Sequence, residues 1–330
     1  MYASTESILP IRAFGCSEKL QKDLQSDVDR AARLHQFDRA VQVDVVAGGQ
    51  RGGAVHVGPL VLHLYGLTLL VAIVAAIVLT GRRWIAQGGD WDLVMRVAVW
   101  GVGFGVVGAR AYHDLTSWNE VPSPKWQGIL EVWRGGLGIW GGVLLGTIAG
   151  AIVVRRAGYS VKLFMDAIAP GLLLAQGIGR VGNWWNQELY GKPTTLPWGL
   201  KIDQAHRLPQ YLDKATYHPT FLYELIWDVV GAVLLIWIGK RFRIKPPALF
   251  ALYVAYYTFG RFFEELLRVD PSHHVAGLRL NAWVSIIVFV VSVAYFVKRQ
   301  FRSRDDDGPA APGRTVPAGP KMAIPKSRVR

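Results

Sequence analysis

"LVLHLYGLTLLVAIVAAIVLT", residues 60–80, runs for 21 residues without a charged side chain. As a helix, a run of that length crosses the roughly 30 Å hydrocarbon core of a bilayer. It predicts a transmembrane helix, and six further apolar stretches follow at 92–113, 137–154, 163–180, 219–239, 247–265 and 280–298. Several of them carry charges. Even so, seven such segments within roughly 240 residues leave too little polar surface to dissolve the chain. Composition points the same way. The chain is 51% hydrophobic and 18% charged, against about a quarter charged in soluble domains, and its mean hydropathy is +0.23. The expected fold class is an all-α integral membrane protein with seven transmembrane helices.

Orientation follows from basic residues near the helix ends. "GRR" (81–83), "RRAGYSVK" (155–162), "KRFRIK" (240–245) and "KRQFRSR" (298–304) fall on one side of a seven-helix trace. The opposite loops are mixed in sign: Asp114 and Glu120 accompany Lys125, and aspartates offset the basic residues of 192–217. The positive-inside rule therefore puts the N-terminus outside and the C-terminus in the cytoplasm. Much of the formal charge of +13 is then topology and attraction to the membrane surface. Nucleic-acid binding would gather the basic residues on one soluble face, so no nucleic-acid partner is expected.

Three regions result: a polar N-terminal extension (1–55), a seven-helix membrane domain (56–300) and a disordered cytoplasmic tail (301–330) rich in Pro, Gly and charge. The extension has no apolar core of a cleaved signal peptide, so the first membrane helix is expected to direct insertion. The single cysteine, Cys16, excludes an intrachain disulfide and argues against a thiolate site. Eight scattered histidines without metal-ligand spacing give no reason to expect a metal or cofactor.

The charges inside the spans fall at one depth. Arg110 closes the second span, Arg180 the fourth, and Arg261, Glu264 and Glu265 the sixth. His218, Tyr223 and Glu224 open the fifth, with Asp228 one turn deeper. Asp166 and Arg96 are the main exceptions, at the inner side. Ionisable groups are costly in lipid and face a cavity or each other. Arginines at a membrane–water interface suit a phosphate, because the guanidinium fork matches two of its oxygens. Read singly, the same residues have structural uses: Arg261 and Glu265 can neutralise each other at i,i+4, and Asn183 can cap a helix.

The stretch "GRVGNWWNQELYG" (179–191) resembles the diagnostic segment of the bacterial prolipoprotein diacylglyceryl transferases. "LYG" (64–66), "GVVGAR" (105–110), "WRGGLGIWGG" (133–142), Asp166 with Pro170, "HPTFLYE" (218–224) and "GRFFEELLR" (260–268) support it, in order, over about residues 57–298. The resemblance implies a multi-pass enzyme of the bacterial cytoplasmic membrane with its active site toward the outer leaflet. Its substrates would be phosphatidylglycerol and the lipobox cysteine of prolipoprotein signal peptides. The sn-1,2-diacylglyceryl group would pass to the cysteine thiol, forming a thioether and releasing glycerol phosphate. The nucleophile then belongs to the substrate, and no cofactor is implied beyond membrane lipid.

On this reading Arg180 and Arg261 hold the phosphate and stabilise the leaving charge. Asn183 and Glu188 fix an arginine or the glycerol hydroxyls, and Glu265 completes the catalytic set. Tyr65, Arg110, Trp140, Gly191, His218, Tyr223 and Glu224 are expected to line the substrate site. One departure matters. Many members have histidine where this chain has Trp140, and indole cannot accept a thiol proton. Either the base lies elsewhere (Glu265, Glu188 or the substrate phosphate), or clustered arginines ionise the thiol without one. The second account is the expectation. The alternatives are a non-catalytic lipid-binding paralogue and a small-solute transporter; the latter would need polar residues continuing to the cytoplasmic side.

Overall fold

The computed structural model describes residues 41–44, 54–57, 60–132 and 135–302. Cys16, Arg134, most of the N-terminal extension and the tail beyond 302 lie outside them.

Two units divide the chain, Met1–Leu64 and Tyr65–Arg330. In the first, β1 (Val41–Asp44), β2 (Ala54–Val57) and β3 (Leu60–His63) form an antiparallel three-stranded sheet in the order β1-β2-β3. Val55 is paired with Val43 on one side and Leu62 on the other. The expected helix at 60–80 therefore starts later. "LVLH" pairs as a strand, and α1 runs Leu64–Ala86.

Six more long helices follow: α2 (Trp91–Thr116), α3 (Ile139–Arg156), α4 (Val161–Asn186), α5 (Thr220–Arg241), α6 (Ala248–Leu267) and α7 (Leu280–Val297). All except α6 are long and apolar enough to cross a membrane, six in all among the described residues. Helix α6 carries Arg261, Glu264 and Glu265 in its last turns. The outer surface is that of a protein immersed in lipid: Val99, Val107, Val143, Leu144, Val233, Ile287 and Val291 are all exposed.

Small residues set the packing. Helices α2 and α3 meet backbone to backbone: a Cβ added at Gly108 would stand 2.3 Å from the Gly141 carbonyl oxygen, and one at Gly141 would stand 2.1 Å from that of Gly108. No side chain fits there, and such close approach gives dispersion contact where lipid supplies no hydrophobic drive. Helix α4 is the most buried of the six apolar helices. Ser160 caps its first turn. At that end Arg83 donates to the carbonyls of Asp166 and Ala167, while the Asp166 carboxylate accepts from the Phe250 amide at 2.9 Å. The inner-side Asp166 thus ties α4 to α6. Trp84, Leu93, Val154 and Phe164 form the core there; Leu173, Leu235, Leu249 and Tyr253 continue it inward.

The connection between α4 and α5 folds more than a solvent loop would. β4 (Leu200–Lys201) pairs with β5 (Thr216–Tyr217), and Tyr190, Ile202 and Tyr217 bury one another. Between α6 and α7, β6 (His274–Val275) and β7 (Leu278–Arg279) make a hairpin. Both of its turn residues, Ala276 and Gly277, have positive φ, as a two-residue hairpin matching strand twist requires.

Candidate functional site

Helix α4 does not stop near Arg180. It continues almost two turns to Asn186 and ends where Gln187 turns left-handed at φ 49°. Asn183 therefore lies inside the helix and caps no N-terminus. Its side-chain amide donates to Glu188 at 3.0 Å, as Asn186 does at 3.1 Å. The pair of asparagines folds the chain back over the helix end, and among the described residues Glu188 is held by them and not by an arginine. Beyond it, the Gly191 amide donates to the His218 carbonyl and the Lys192 amide to that of Leu267, stitching the motif to the start of α5 and the end of α6. Gly182 makes the other join. A Cβ there would come within 2.5 Å of the Tyr65 ring, so glycine lets α1 lie against the motif.

At this level three helices converge on one carboxylate. The Arg180 guanidinium donates to Glu224 Oε1 at 2.7 Å, and Arg261 to Glu224 Oε2 at 3.3 Å. Tyr257 adds its hydroxyl to Oε1 at 3.3 Å. Arg261 also pairs with Glu264 at 2.6 Å and with Glu265. Glu265 is shared with Arg279 at 2.6 Å, and Arg279 reaches Asp270, which Arg268 also holds. The result is a continuous chain of alternating charge. Glu224 and Glu265 are buried, so each depends on its guanidinium partners. Burial alone would raise the Asp270 carboxyl, but hydrogen bonds and charge from Arg268 and Arg279 hold it below the usual aspartate range.

Two cavities flank the chain. One, of about 330 Å³, opens between α5 and α6 and is lined by Trp227, Phe259 and Phe263 with Glu224, Asp228 and Arg261 at its polar edge. The other, of about 520 Å³, is polar and lined by Glu265, Arg268, Asp270, Arg279 and Lys192. The polar edge of the smaller cavity thus carries Arg261 among Glu224, Glu264 and Asp228, against apolar aromatic walls.

Most of the sequence-derived residues gather here. Arg180, Glu224, Arg261 and Glu265 are in direct contact, and Tyr223 lines the smaller cavity. His218 Nδ1 lies 3.1 Å from the Tyr223 hydroxyl, which also accepts from Trp198. Asn183, Glu188, Gly191 and Tyr65 form the adjoining α4 end. Arg110 and Trp140 are elsewhere. Arg110 is buried, its guanidinium engaged by the carbonyls of Gly128, Ile129, Gly135 and Gly136 and by Asp114 at 3.1 Å. It secures the α2–α3 connection and offers no free face to a substrate. Trp140 is 58% exposed at the start of α3. Sequence reasoning missed Arg279, Arg268, Asp270 and Tyr257. Arg279, a charge placed just ahead of an apolar run, was the one signal.

The family model of prolipoprotein diacylglyceryl transferases matches residues 53–298. The chain is 50% identical over 247 residues to phosphatidylglycerol–prolipoprotein diacylglyceryl transferase 2 of Streptomyces coelicolor, covering 74% of this chain and 78% of that protein. To the transferase of Cutibacterium acnes it is 47% identical over 251 residues, covering 76% and 85%. To that of Frankia alni it is 49% identical over 243 residues, covering 73% and 64%.

Proposed function

Because the chain belongs to the prolipoprotein diacylglyceryl transferase family, we propose that the junction of Arg180, Glu224 and Arg261 is where it moves the diacylglyceryl group of phosphatidylglycerol onto a prolipoprotein. The protein is a multi-pass transferase of the bacterial cell membrane. It forms a thioether to the lipobox cysteine and releases glycerol phosphate, with both substrates arriving from the membrane.

The observation that carries the site assignment is the convergence of two arginines from α4 and α6 on one buried glutamate of α5. In the resting protein Glu224 occupies the position a phosphate would take. Phosphatidylglycerol then exchanges one anion for another, its phosphate between Arg180 and Arg261 and its acyl chains along Trp227, Phe259 and Phe263. Preorganised guanidinium groups stabilise the charge that develops as the phosphate departs. Asn183, Glu188 and Gly191 keep the α4 end folded over this space, and Tyr65 and His218 shape its rim.

Helix α6 is the seventh membrane span. Its charges face Glu224 and Arg279, not lipid, which supports a buried span despite its polarity. The basic clusters lie at the opposite ends of the helices from Arg180 and Arg261, supporting an N-terminus outside, a C-terminus in the cytoplasm and an active site toward the outer leaflet. Residues 56–300 are the catalytic domain.

The test is chemical. Purified protein, incubated with phosphatidylglycerol and a lipobox peptide, adds a diacylglyceryl mass increment to the cysteine. Arg180→Ala and Arg261→Ala lose it. A folded wild-type protein that leaves the peptide unmodified refutes the assignment. Topology is tested separately in a Cys16→Ser background: a cysteine introduced at exposed Gln210 reacts with a membrane-impermeant maleimide in intact spheroplasts, and one at Arg156 does not.

A further inference from the structure

Resting on that functional reading, we propose that Asp228 is the base that takes the proton of the incoming thiol. Trp140 cannot do so, and the two carboxylates considered from the sequence are already engaged. Both Glu265 oxygens are engaged, by Arg261 and Arg279. Glu188 Oε1 accepts from two asparagine amides, which hold that carboxyl over the α4 end. Nor do the arginines supply an uncompensated positive field: Arg180, Arg261, Arg279 and Arg268 alternate with Glu224, Glu264, Glu265 and Asp270, four guanidinium groups for four carboxylates. Ionisation by clustered positive charge, the expectation from sequence, does not fit this neutralised network.

Asp228 is different. It is fully buried, and neither carboxyl oxygen has a hydrogen-bond partner among the described residues. An orphaned buried carboxyl is costly, so its presence one turn from Glu224 calls for a reason. It also lines the smaller cavity beside Glu224 and Arg261. It lies four residues beyond Glu224 on α5, about 6 Å along the axis at 1.5 Å per residue. It packs against Gly177 of α4, about 4.5 Å along that axis from Arg180. Asp228 is therefore one turn deeper than the proposed phosphate position on both helices.

The reaction needs a base at that depth. The thiol must attack the sn-3 carbon on the side opposite the departing phosphate oxygen. With the phosphate at the two arginines and the acyl chains inward, the sulfur stands about one helical turn below them, level with Asp228. In the step, the S–H bond breaks and its proton passes to an Asp228 oxygen. The sulfur forms the bond to C3 while the C3–O bond breaks, and the pair leaves with glycerol phosphate. One carboxylate and one phosphodiester anion become a carboxylic acid and a phosphate dianion, so charge balances.

The charged groups facing Asp228 are Glu224 on its own helix, Arg180 on α4, and Arg261 and Glu264 on α6. The titratable hydroxyls of Tyr253, Tyr256 and Tyr257, also on α6, complete its surroundings.

The experiment compares a lipobox peptide carrying cysteine with one carrying selenocysteine, whose selenol is already ionised at neutral pH. Asp228→Asn keeps shape and polarity but not basicity. The expected result is a loss on the order of 10²–10⁴-fold in kcat for the thiol peptide, with KM for phosphatidylglycerol little changed. The loss shrinks toward alkaline pH as the thiol ionises by itself, and the selenol peptide recovers a near wild-type rate. Asp228→Glu, which retains a carboxylate, exceeds Asp228→Asn with the thiol peptide and matches it with the selenol. Equal loss with both peptides means a structural role and overturns the proposal, as does an Asp228→Asn protein fully active on the thiol. A wild-type protein that modifies neither peptide overturns the functional reading itself.

Discussion

Replacing Glu224 by glutamine removes the carboxylate that Arg180 and Arg261 share. Removing one member of a buried ion pair costs about 3–5 kcal/mol, because the charge left behind stays desolvated. Two features reduce the figure here. The Arg180 side chain is 23% exposed, and Arg261 retains Glu264 and Glu265. The lower end, about 3 kcal/mol, is therefore the expected loss. For a domain of this size that corresponds to a fall of about 6–12 °C in Tm. The assay is thermal unfolding of the purified protein in detergent, with and without inorganic phosphate. In the variant, Arg180 has lost its carboxylate and phosphate can replace it, so phosphate raises the Tm of Glu224→Gln more than that of the wild type. At a concentration of about 100 Kd the recovery amounts to about 2.7 kcal/mol, close to the original loss. A variant melting with the wild type, or phosphate stabilising the wild type more, refutes the idea that Glu224 holds the anion position.

Arg110→Met leaves four loop carbonyls and Asp114 without their donor; the expected loss is about 3–5 kcal/mol, and limited proteolysis should cut first between 121 and 137. Gly182→Ala forces a methyl against the Tyr65 ring and costs about 1–3 kcal/mol; adding Tyr65→Ala relieves the clash, so the double variant melts above the sum of the singles. Asp270 is held below the usual aspartate range, so its contribution is complete above the unfolded-state value near pH 4 and is lost as pH falls through the lower folded value. Asp270→Asn should flatten the Tm profile between about pH 5 and pH 3, and an unchanged acid limb would exclude the Arg268–Asp270–Arg279 clamp as its source.

Six of the seven long helices were readable because lipid imposes one simple rule on a span, an apolar run of sufficient length. Boundaries were less so. "LVLH" is as apolar as the helix that follows, and only its pairing with β2 reveals a strand. The glycines and asparagines after Arg180 suggested an exit from α4, yet Gly182 serves packing and the helix continues until Gln187. Arg180, Glu224, Arg261 and Glu265 were legible as a group because charges at a common depth within apolar spans must meet one another or a shared cavity. Arg110 has the same residue type at the same depth, but its partners are main-chain carbonyls, which no residue letter displays. Asp228 was visible as a charge; that it lacks a partner is a fact of three dimensions.

On the proposed reading, the pairing of every arginine in this network with a carboxylate also bears on what happens after the chemistry. Phosphatidylglycerol presents a phosphodiester with one negative charge, which two guanidinium groups shared with Glu224, Glu264 and Glu265 can accept. Glycerol phosphate is a monoester whose second ionisation lies near pH ~6, so the same neighbours meet nearly twice the charge. A network that accepted the lipid here would by the same charges disfavour the product it becomes. On the proposed function, Glu224 would reclaim its arginines as the dianion leaves, and turnover would need no separate device to clear the site.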